Sequence, residues 1–299
     1  MEFPEVAPRE NNSDNYLNKN KEPRKRFSFL DSFSAVGCIP IPLWRCFEMS
    51  KARPERNRKP SGSFLVAGNS YIFATDMGLI LNLETATTNC SVSIAKDGQL
   101  LAIKEHDTPN YSHSEQLHVF IYDVLEMASL PLSKLEAVAV SKGPGSYTGL
   151  RIGVSAAKGL CFSLDIPLIS VPTLESMAHQ HKNKEVDYII PLLDARRMEV
   201  YSCVFDSHLN EVRETKAEII DGNSFAAFAK KGKVLLLGSG AEKCKEFLPT
   251  SFDFDRTTVP SAREMAVLSD KKFAVGQFED VAYFEPYYLK DFMLTKKKG

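Results

Sequence analysis

Three strand-like segments follow one another directly, before any helix-like segment, in the part of the chain that begins near residue 77. Gly78–Thr85 is an apolar run that contains an acid near its end, and Cys90–Lys96 alternates between apolar and polar residues. Asp97–Gly98 is a strong hairpin signal, and Leu100–Lys104 begins a third strand. This pattern predicts an antiparallel meander of three strands.

Two helices alternate with single strands after the meander. The first is predicted by apolar residues at helical spacing, which are Leu117, Phe120, Ile121, Val124 and Leu125. Ser112 and Glu115 form a capping box ahead of them. A strand at Leu135–Val140, a helix from about Gly149 to Ser163 and a strand at Pro167–Val171 follow.

The order strand, strand, strand, helix, strand, helix, strand is that of the ribonuclease-H-like unit. The pattern begins again at Tyr188–Leu193, which runs into Asp194 and is followed by a pairing strand at Glu199–Phe205. First strands that end in acids, at Glu84 and Asp194, indicate two related halves. The predicted fold is therefore α/β, with two ribonuclease-H-like subdomains of the actin-like (ASKHA) class, each a mixed sheet flanked by helices.

Residues 1–76 differ from the rest of the chain in composition and in the absence of a sustained helical or strand pattern. Their opening is rich in Asn, Lys and Glu, and Lys51–Lys59 is a basic run broken by Pro54. One interpretation is a basic arm that contacts RNA, and the other is an unstructured or spurious extension that ends before Met77.

The predicted boundaries are 1–76 for the extension, 77–183 for the first subdomain and 184–299 for the second. We expect the C-terminal segment to pack back on the first subdomain.

Charge and cysteine content exclude several classes of protein. Because the chain has 37 basic and 38 acidic residues, its net charge offers no overall attraction for nucleic acid, so contact with nucleic acid is expected only indirectly, through a partner. Six cysteines without CxxC spacing predict a reduced, cytoplasmic protein without a zinc site. No run approaches the roughly 20 apolar residues of a membrane span, so no membrane association is expected.

A glycine-rich segment, Lys142–Gly153, lies between a predicted strand and a predicted helix. Its candidates for a phosphate-type loop are Gly143, Gly145, Ser146, Thr148 and Gly149. Such a turn could present backbone amides to an anion, but the Walker pattern and the dinucleotide pattern are both absent. A vestigial phosphate loop and a purely structural tight turn both stay open.

Catalytic metal sites are poorly supported by the histidines. His113 and His118 are five residues apart, about 140° around a helix, and His179 and His181 are two apart, so neither pair faces one metal ion. Each histidine is therefore predicted to be solvated or to cap an element. No metal and no cofactor are expected.

Two acids could mark a nucleotide cleft. Glu84 and Asp194 end strands and could hold magnesium through water, and Gly238–Gly240 is the single candidate for an adenosine loop in the second half. Nucleotide binding and a vestigial cleft are the two alternatives.

The second predicted helix carries small residues at every fourth position, Gly149, Gly153 and Ala157, which permits close approach of another helix. These residues, like the apolar stripe of the first helix, are either core or interface. Because Leu150 and Val154 form an inward stripe about 100° away, Gly153 is expected to face a partner.

Seven motifs together resemble the TsaB (YeaZ) family over about residues 77 to 290. They are Ile80–Thr87, Cys90–Val92, His113–Glu115, Gly143–Gly153, Val171–Leu174, Asp194–Arg196 and Glu285–Leu289. The one departure noted is Glu84, where the family usually has Asp.

The resemblance implies a non-catalytic scaffold that dimerises with its paralogue, the TsaD transferase, in tRNA N6-threonylcarbamoyladenosine formation, and helps recruit the TsaE ATPase. A homodimer is implied when TsaD is absent. The partner-binding residues it implies are His113, Leu117, Phe120, Ile121, Val124, Gly149, Arg151, Ile152, Gly153, Ala156 and Ala157. The alternative is an enzyme, either an actin-like ATP-dependent kinase or a glycoprotease-like metallohydrolase.

Overall fold

The computed structural model describes residues 78–108, 113–197 and 199–289. The capping residue Ser112 and residues 1–77, with the predicted extension, lie outside the described residues.

The first sheet has five strands and three associated helices. Its strands are β1 (Leu79–Glu84), β2 (Asn89–Lys96), β3 (Gln99–Asp107), β4 (Ala137–Gly143) and β5 (Leu168–Pro172). The helices of this part are α1 (His113–Met127), α2 (Tyr147–Leu164) and α3 (Thr173–His179). The strand order is β3-β2-β1-β4-β5, in which β1 pairs antiparallel with β2 and parallel with β4.

The second sheet repeats this arrangement. Its strands are β6 (Tyr188–Asp194), β7 (Glu199–Asp206), β8 (Glu211–Ile219), β9 (Val234–Leu237) and β10 (Asp253–Asp255). The helices are α4 (Ala226–Ala229), α5 (Ala241–Lys245) and α6 (Ala262–Ala274). The order β10-β9-β6-β7-β8 has β6 antiparallel to β7 and parallel to β9, as β1 is to β2 and β4. The fold is therefore α/β with two related mixed sheets, as the sequence predicts.

Successive side chains of β1 point to opposite faces of the first sheet, so the core of this part has one apolar layer on each face. Leu79, Leu81 and Leu83 point to the side of α1 and α2 and belong to one apolar cluster. Ile80 belongs to another cluster, with Met265 of α6 on the opposite face. Since successive side chains alternate, Glu84 points to the same face as Ile80, away from α1 and α2.

Helix α6 and the segment after it pack on the first sheet, although they follow the second sheet in the chain. Ser269 of α6 donates a hydrogen bond of 2.7 Å to Asn82, and the amide of Glu279 donates one of 2.8 Å to the carbonyl of Leu168 in β5. Sequence patterns did not predict α3, β8 or α6. Among the described residues, no helix is long and apolar enough to cross a membrane.

Candidate functional site

The glycine-rich turn packs directly on the residues that follow β1. The amide of Ser146 donates a hydrogen bond of 2.6 Å to the carbonyl of Ala86, and the Thr85 hydroxyl donates one of 2.8 Å to the carbonyl of Gly149. A Cβ atom on Gly145 or Gly149 would overlap the carbonyl oxygen of Ala86 or Thr85. This close backbone approach accounts for both glycines without any bound anion.

Ser146 caps α2. Its side-chain oxygen accepts a hydrogen bond of 3.3 Å from the amide of Gly149, and its backbone has the extended conformation usual at this position. Gly143 has a φ of +106°, a conformation that favours glycine, and lies against the carbonyl of Tyr287. The turn is therefore tied to both β1 and the C-terminal segment.

Glu84 is enclosed by the chain. Its side chain has no exposed surface, and one carboxyl oxygen accepts a hydrogen bond of 2.7 Å from the amide of Ala86. Burial raises the pKa of this carboxyl from 4.5 to about 7, because the charged form is poorly solvated, against a smaller lowering by hydrogen bonds from Ala86 and Ser141. Glu84 is thus a buried acid, not an exposed ligand at the mouth of a cleft.

Asp194 is exposed, and its carboxylate is used within the chain. It forms an ion pair with the ammonium group of Lys243 and accepts a hydrogen bond of 2.6 Å from the amide of Arg196. Lys243 also donates a hydrogen bond of 2.6 Å to the carbonyl of Arg197. The lysine therefore holds the turn after β6 in place.

The candidate adenosine loop Gly238–Gly240 also turns its amides to the chain itself. The amide of Gly238 donates a hydrogen bond of 2.8 Å to the carbonyl of Asp255, and that of Gly240 donates one of 2.9 Å to the carbonyl of Leu192. The amides of Gly238 and Gly240 are thus already hydrogen-bonded within the second sheet.

The histidines do not gather, and two of them differ from the expectation of solvated side chains. His113 is buried, with its Nε2 2.7 Å from the carbonyl of Thr87, while His118 is exposed on the outer side of α1. His181 is buried, with its Nε2 2.7 Å from the hydroxyl of Thr258. Within the described residues, no three His, Cys, Asp or Glu side chains are placed to hold a metal ion.

The structure corrects most of the expected partner-binding residues, because they are core residues of this chain. Those buried in the first subdomain are His113, Leu117, Phe120, Ile121, Val124, Gly149, Gly153 and Ala157. Gly153 faces the hydroxyl of Thr85, not a partner helix. Arg151, Ile152 and Ala156 are the expected residues that stay at least partly exposed.

These three residues line a groove of about 750 Å³ between the outer sides of α1 and α2. Its wall also includes His118, Ser155 and Gly159. Large apolar side chains on the two helices are exposed: Val119 by 54%, Tyr122 by 61% and Phe162 by 78%. These side chains lie outside the buried stripe that helical spacing predicts, and large apolar residues outside such a stripe are the sequence signal for them.

Comparison with known proteins agrees with this architecture. A family model described as TsaD, tRNA N6-adenosine threonylcarbamoyltransferase, matches residues 109–290. The tRNA threonylcarbamoyladenosine biosynthesis protein TsaB of Escherichia coli is 29% identical over 73% of this chain and 97% of its own length. The protein of the same name from Haemophilus influenzae is 26% identical over 73% of this chain and 96% of its own length.

Two solved structures share the fold. YeaZ from Pseudomonas aeruginosa is 24% identical, with a TM-score of 0.61 over 71% of this chain and 100% of that one. A structure described as an uncharacterized protein with similarity to peptidase YeaZ, from the same organism, is also 24% identical, with a TM-score of 0.66 over 72% of this chain and 100% of that one. The chain therefore belongs to the family of the TsaD model and, within it, to the TsaB (YeaZ) group.

Proposed function

We propose that this chain is a non-catalytic subunit of tRNA N6-threonylcarbamoyladenosine formation, which binds a TsaD-type transferase through the outer sides of α1 and α2 and helps recruit a TsaE-type ATPase. The observation that carries the proposal is the groove between α1 and α2, together with exposed apolar side chains on the same two helices, Val119 and Tyr122 of α1 and Phe162 of α2. We call these side chains, with the groove, the docking face.

Exposed large apolar side chains on the two helices that line the groove favour a protein partner. Single apolar residues on a surface are ordinary, but several on the helices of one groove are typical of interaction sites. The small side chains Ser155, Ala156 and Gly159 form part of the groove wall, so the backbone of α2 is accessible to an approaching helix. A partner helix is therefore the ligand that this shape fits best.

The groups expected of an actin-like active site support a non-catalytic role, because this chain uses them internally. Asp194 is paired with Lys243, and Glu84 is fully enclosed. The amides of Gly238 and Gly240 are bonded to carbonyls of the second sheet. A kinase or a metallohydrolase would need such groups to face its substrate or metal.

The proposal is tested by reconstitution. The chain is titrated with the TsaD-type protein of the same organism, and threonylcarbamoyl transfer to tRNA is measured with and without the chain. We expect a one-to-one complex and strong dependence of modification on the chain, but no ATP hydrolysis by the chain alone. The proposal would be overturned if threonylcarbamoyl transfer to tRNA were as fast without the chain as with it, or if the isolated chain hydrolysed ATP. Self-association of the isolated chain, measured by sedimentation, tests whether the same face forms a homodimer.

A further inference from the structure

One arginine of the docking face contacts two tyrosines whose rings lie against each other. The guanidinium carbon of Arg151 lies 4.5 Å from the ring centre of Tyr147, one turn earlier in α2. Its Nε donates a hydrogen bond of 3.3 Å to the hydroxyl of Tyr288, and the two tyrosine rings lie 4.9 Å apart. The side chain is therefore fixed from two sides, although it is exposed.

The C-terminal segment brings Tyr288 to this place. The amide of Tyr287 donates a hydrogen bond of 2.7 Å to the carbonyl of Lys142, directly before the glycine-rich turn. Further along α2, the ammonium group of Lys158 donates to the carbonyls of Ala282 and Phe284, at 3.0 and 3.1 Å. The segment is thus anchored along the flank of α2.

In the part of the chain that the structure describes, no direct contact neutralises the charge of Arg151. Among the described residues it forms no ion pair, although Glu285 is near enough to act on it electrostatically. A guanidinium has five N–H donors, and the contact with Tyr288 uses only the one on Nε. Because Arg151 also lines the groove, a partner in the groove can reach the remaining donors.

We infer that Arg151 binds a carboxylate of the partner, so that the surface docked on α1 and α2 presents an Asp or Glu to this end of the groove. The inference rests on the proposed docking face and adds the chemistry of recognition. Guanidinium and carboxylate pair through two parallel hydrogen bonds, and arginine is enriched at interfaces. Since Tyr147 and Tyr288 already hold the guanidinium, little side-chain freedom is lost on binding.

Titration of the TsaD-type protein with variants of the full chain tests the inference. Loss of an interface arginine that pairs with a carboxylate can cost a factor of about ten in affinity, so Arg151→Ala is expected to bind about ten-fold more weakly. Arg151→Glu is expected to bind more weakly still, and Arg151→Lys is expected to lie between the unaltered chain and the alanine variant. Lys231→Glu, at an exposed lysine near β9 in the second sheet, changes net charge as Arg151→Glu does and should bind normally.

The dependence of binding on ionic strength, together with charge-reversal variants, distinguishes a charge contact from an apolar packing contact. The difference between the unaltered chain and Arg151→Ala should shrink as ionic strength rises, because exposed ion pairs are screened. Reversing acidic residues of the partner one at a time should identify one whose Lys variant restores the binding of Arg151→Glu. Tyr288→Phe should weaken binding about two- to five-fold at low salt with little change in stability, since it removes only a positioning hydrogen bond.

Each result has a distinct meaning. Unchanged affinity of Arg151→Glu, or a loss that is equal at all salt concentrations and that no partner variant restores, would overturn the inference while the docking face stands. Failure of the unaltered chain to bind would overturn the proposed function and the inference together.

Discussion

The hydroxyl of Thr85 occupies the space that a side chain on Gly153 would need. Thr85 lies just after β1, and its hydroxyl donates a hydrogen bond to the carbonyl of Gly149, one turn before Gly153 in α2. A Cβ atom built on Gly153 would collide with this oxygen. The small-residue face of α2 therefore packs against the end of β1, and the expectation that Gly153 contacts a partner is wrong.

Replacing Gly153 should consequently cost stability of the isolated chain. We expect Gly153→Ala to lower the free energy of unfolding by about 1 to 3 kcal/mol, because the added methyl group must displace the Thr85 hydroxyl or shift α2. Denaturant titration measures the change. In the double variant with Thr85→Ala, the two losses should not add, since the clash is removed.

Gly159, on the same helix, is the matched control for Gly153. A Cβ there would meet nothing within 4 Å, so Gly159→Ala should stabilise the chain by up to about 1 kcal/mol through helix propensity alone. Equal effects at the two positions would show that close packing at Thr85 is not what selects glycine at residue 153.

Glu84 should make stability depend on pH. Its pKa is about 7 in the folded chain, because of burial, against 4.5 ordinarily. Between pH 4.5 and 7 the folded chain holds this proton and the unfolded chain releases it, so the free energy of unfolding falls as pH rises through this window. Glu84→Gln removes the effect, and above pH 7 the variant should be the more stable one by up to about 3 kcal/mol.

Thermal or denaturant unfolding at several pH values measures the difference between the two chains. His179 is partly buried, and burial lowers its pKa to about 4, so it changes stability in the opposite sense, but this residue is common to both chains. Glu246→Gln, at an exposed carboxylate, controls for the lost charge. A difference that stays constant from pH 4.5 to pH 8 would contradict the enclosed position of Glu84.

Asp194 is expected to be structural. Asp194→Asn and Lys243→Met should each lower stability by no more than about 1 kcal/mol, because both side chains are partly exposed and water screens their attraction. Threonylcarbamoyl transfer to tRNA in the reconstituted system should be unchanged. A folded Asp194→Asn chain that binds its partner but no longer supports transfer would instead indicate a catalytic cleft.

The docking face should be sensitive to charge. Phe162→Glu is expected to weaken binding of the TsaD-type protein at least about ten-fold, since a carboxylate would be buried in an apolar interface, and to leave stability within about 0.5 kcal/mol. Phe162 is a better test position than Tyr122. The hydroxyl of Tyr122 donates a hydrogen bond to the carboxylate of Glu126, so Tyr122→Glu would also remove this bond.

Ile219→Glu is the matched control for Phe162→Glu. Ile219 is exposed by 63% at the end of β8 in the second sheet, and this variant should bind normally. Equal weakening by the two variants would mean that the docking face has been placed on the wrong elements.

Sequence periodicity predicts a strand or helix correctly where the residues of that element carry the pattern themselves. Alternation and the Asp97–Gly98 turn predict the β2–β3 hairpin, where Lys96 pairs with Gln99. The buried stripe of α1 follows from helical spacing alone. Two of the segments that were missed lack such local signals: β8 is polar along most of its length, and α3 has only seven residues. Helix α6 does carry one, because Ser261 caps it and its buried residues recur at helical spacing.

The sequence by itself determined the order of the first seven elements, the two related halves and the glycine-rich turn, because each depends on neighbouring residues. Only the tertiary structure decided which face of α2 is core, that Glu84 is enclosed and that Tyr288 reaches Arg151. Helical spacing sets the angle between two residues but not the direction in which either one faces. The contacts that set that direction join residues far apart in the chain, 64 positions between Thr85 and Gly149 and 137 between Arg151 and Tyr288, so no local pattern records them.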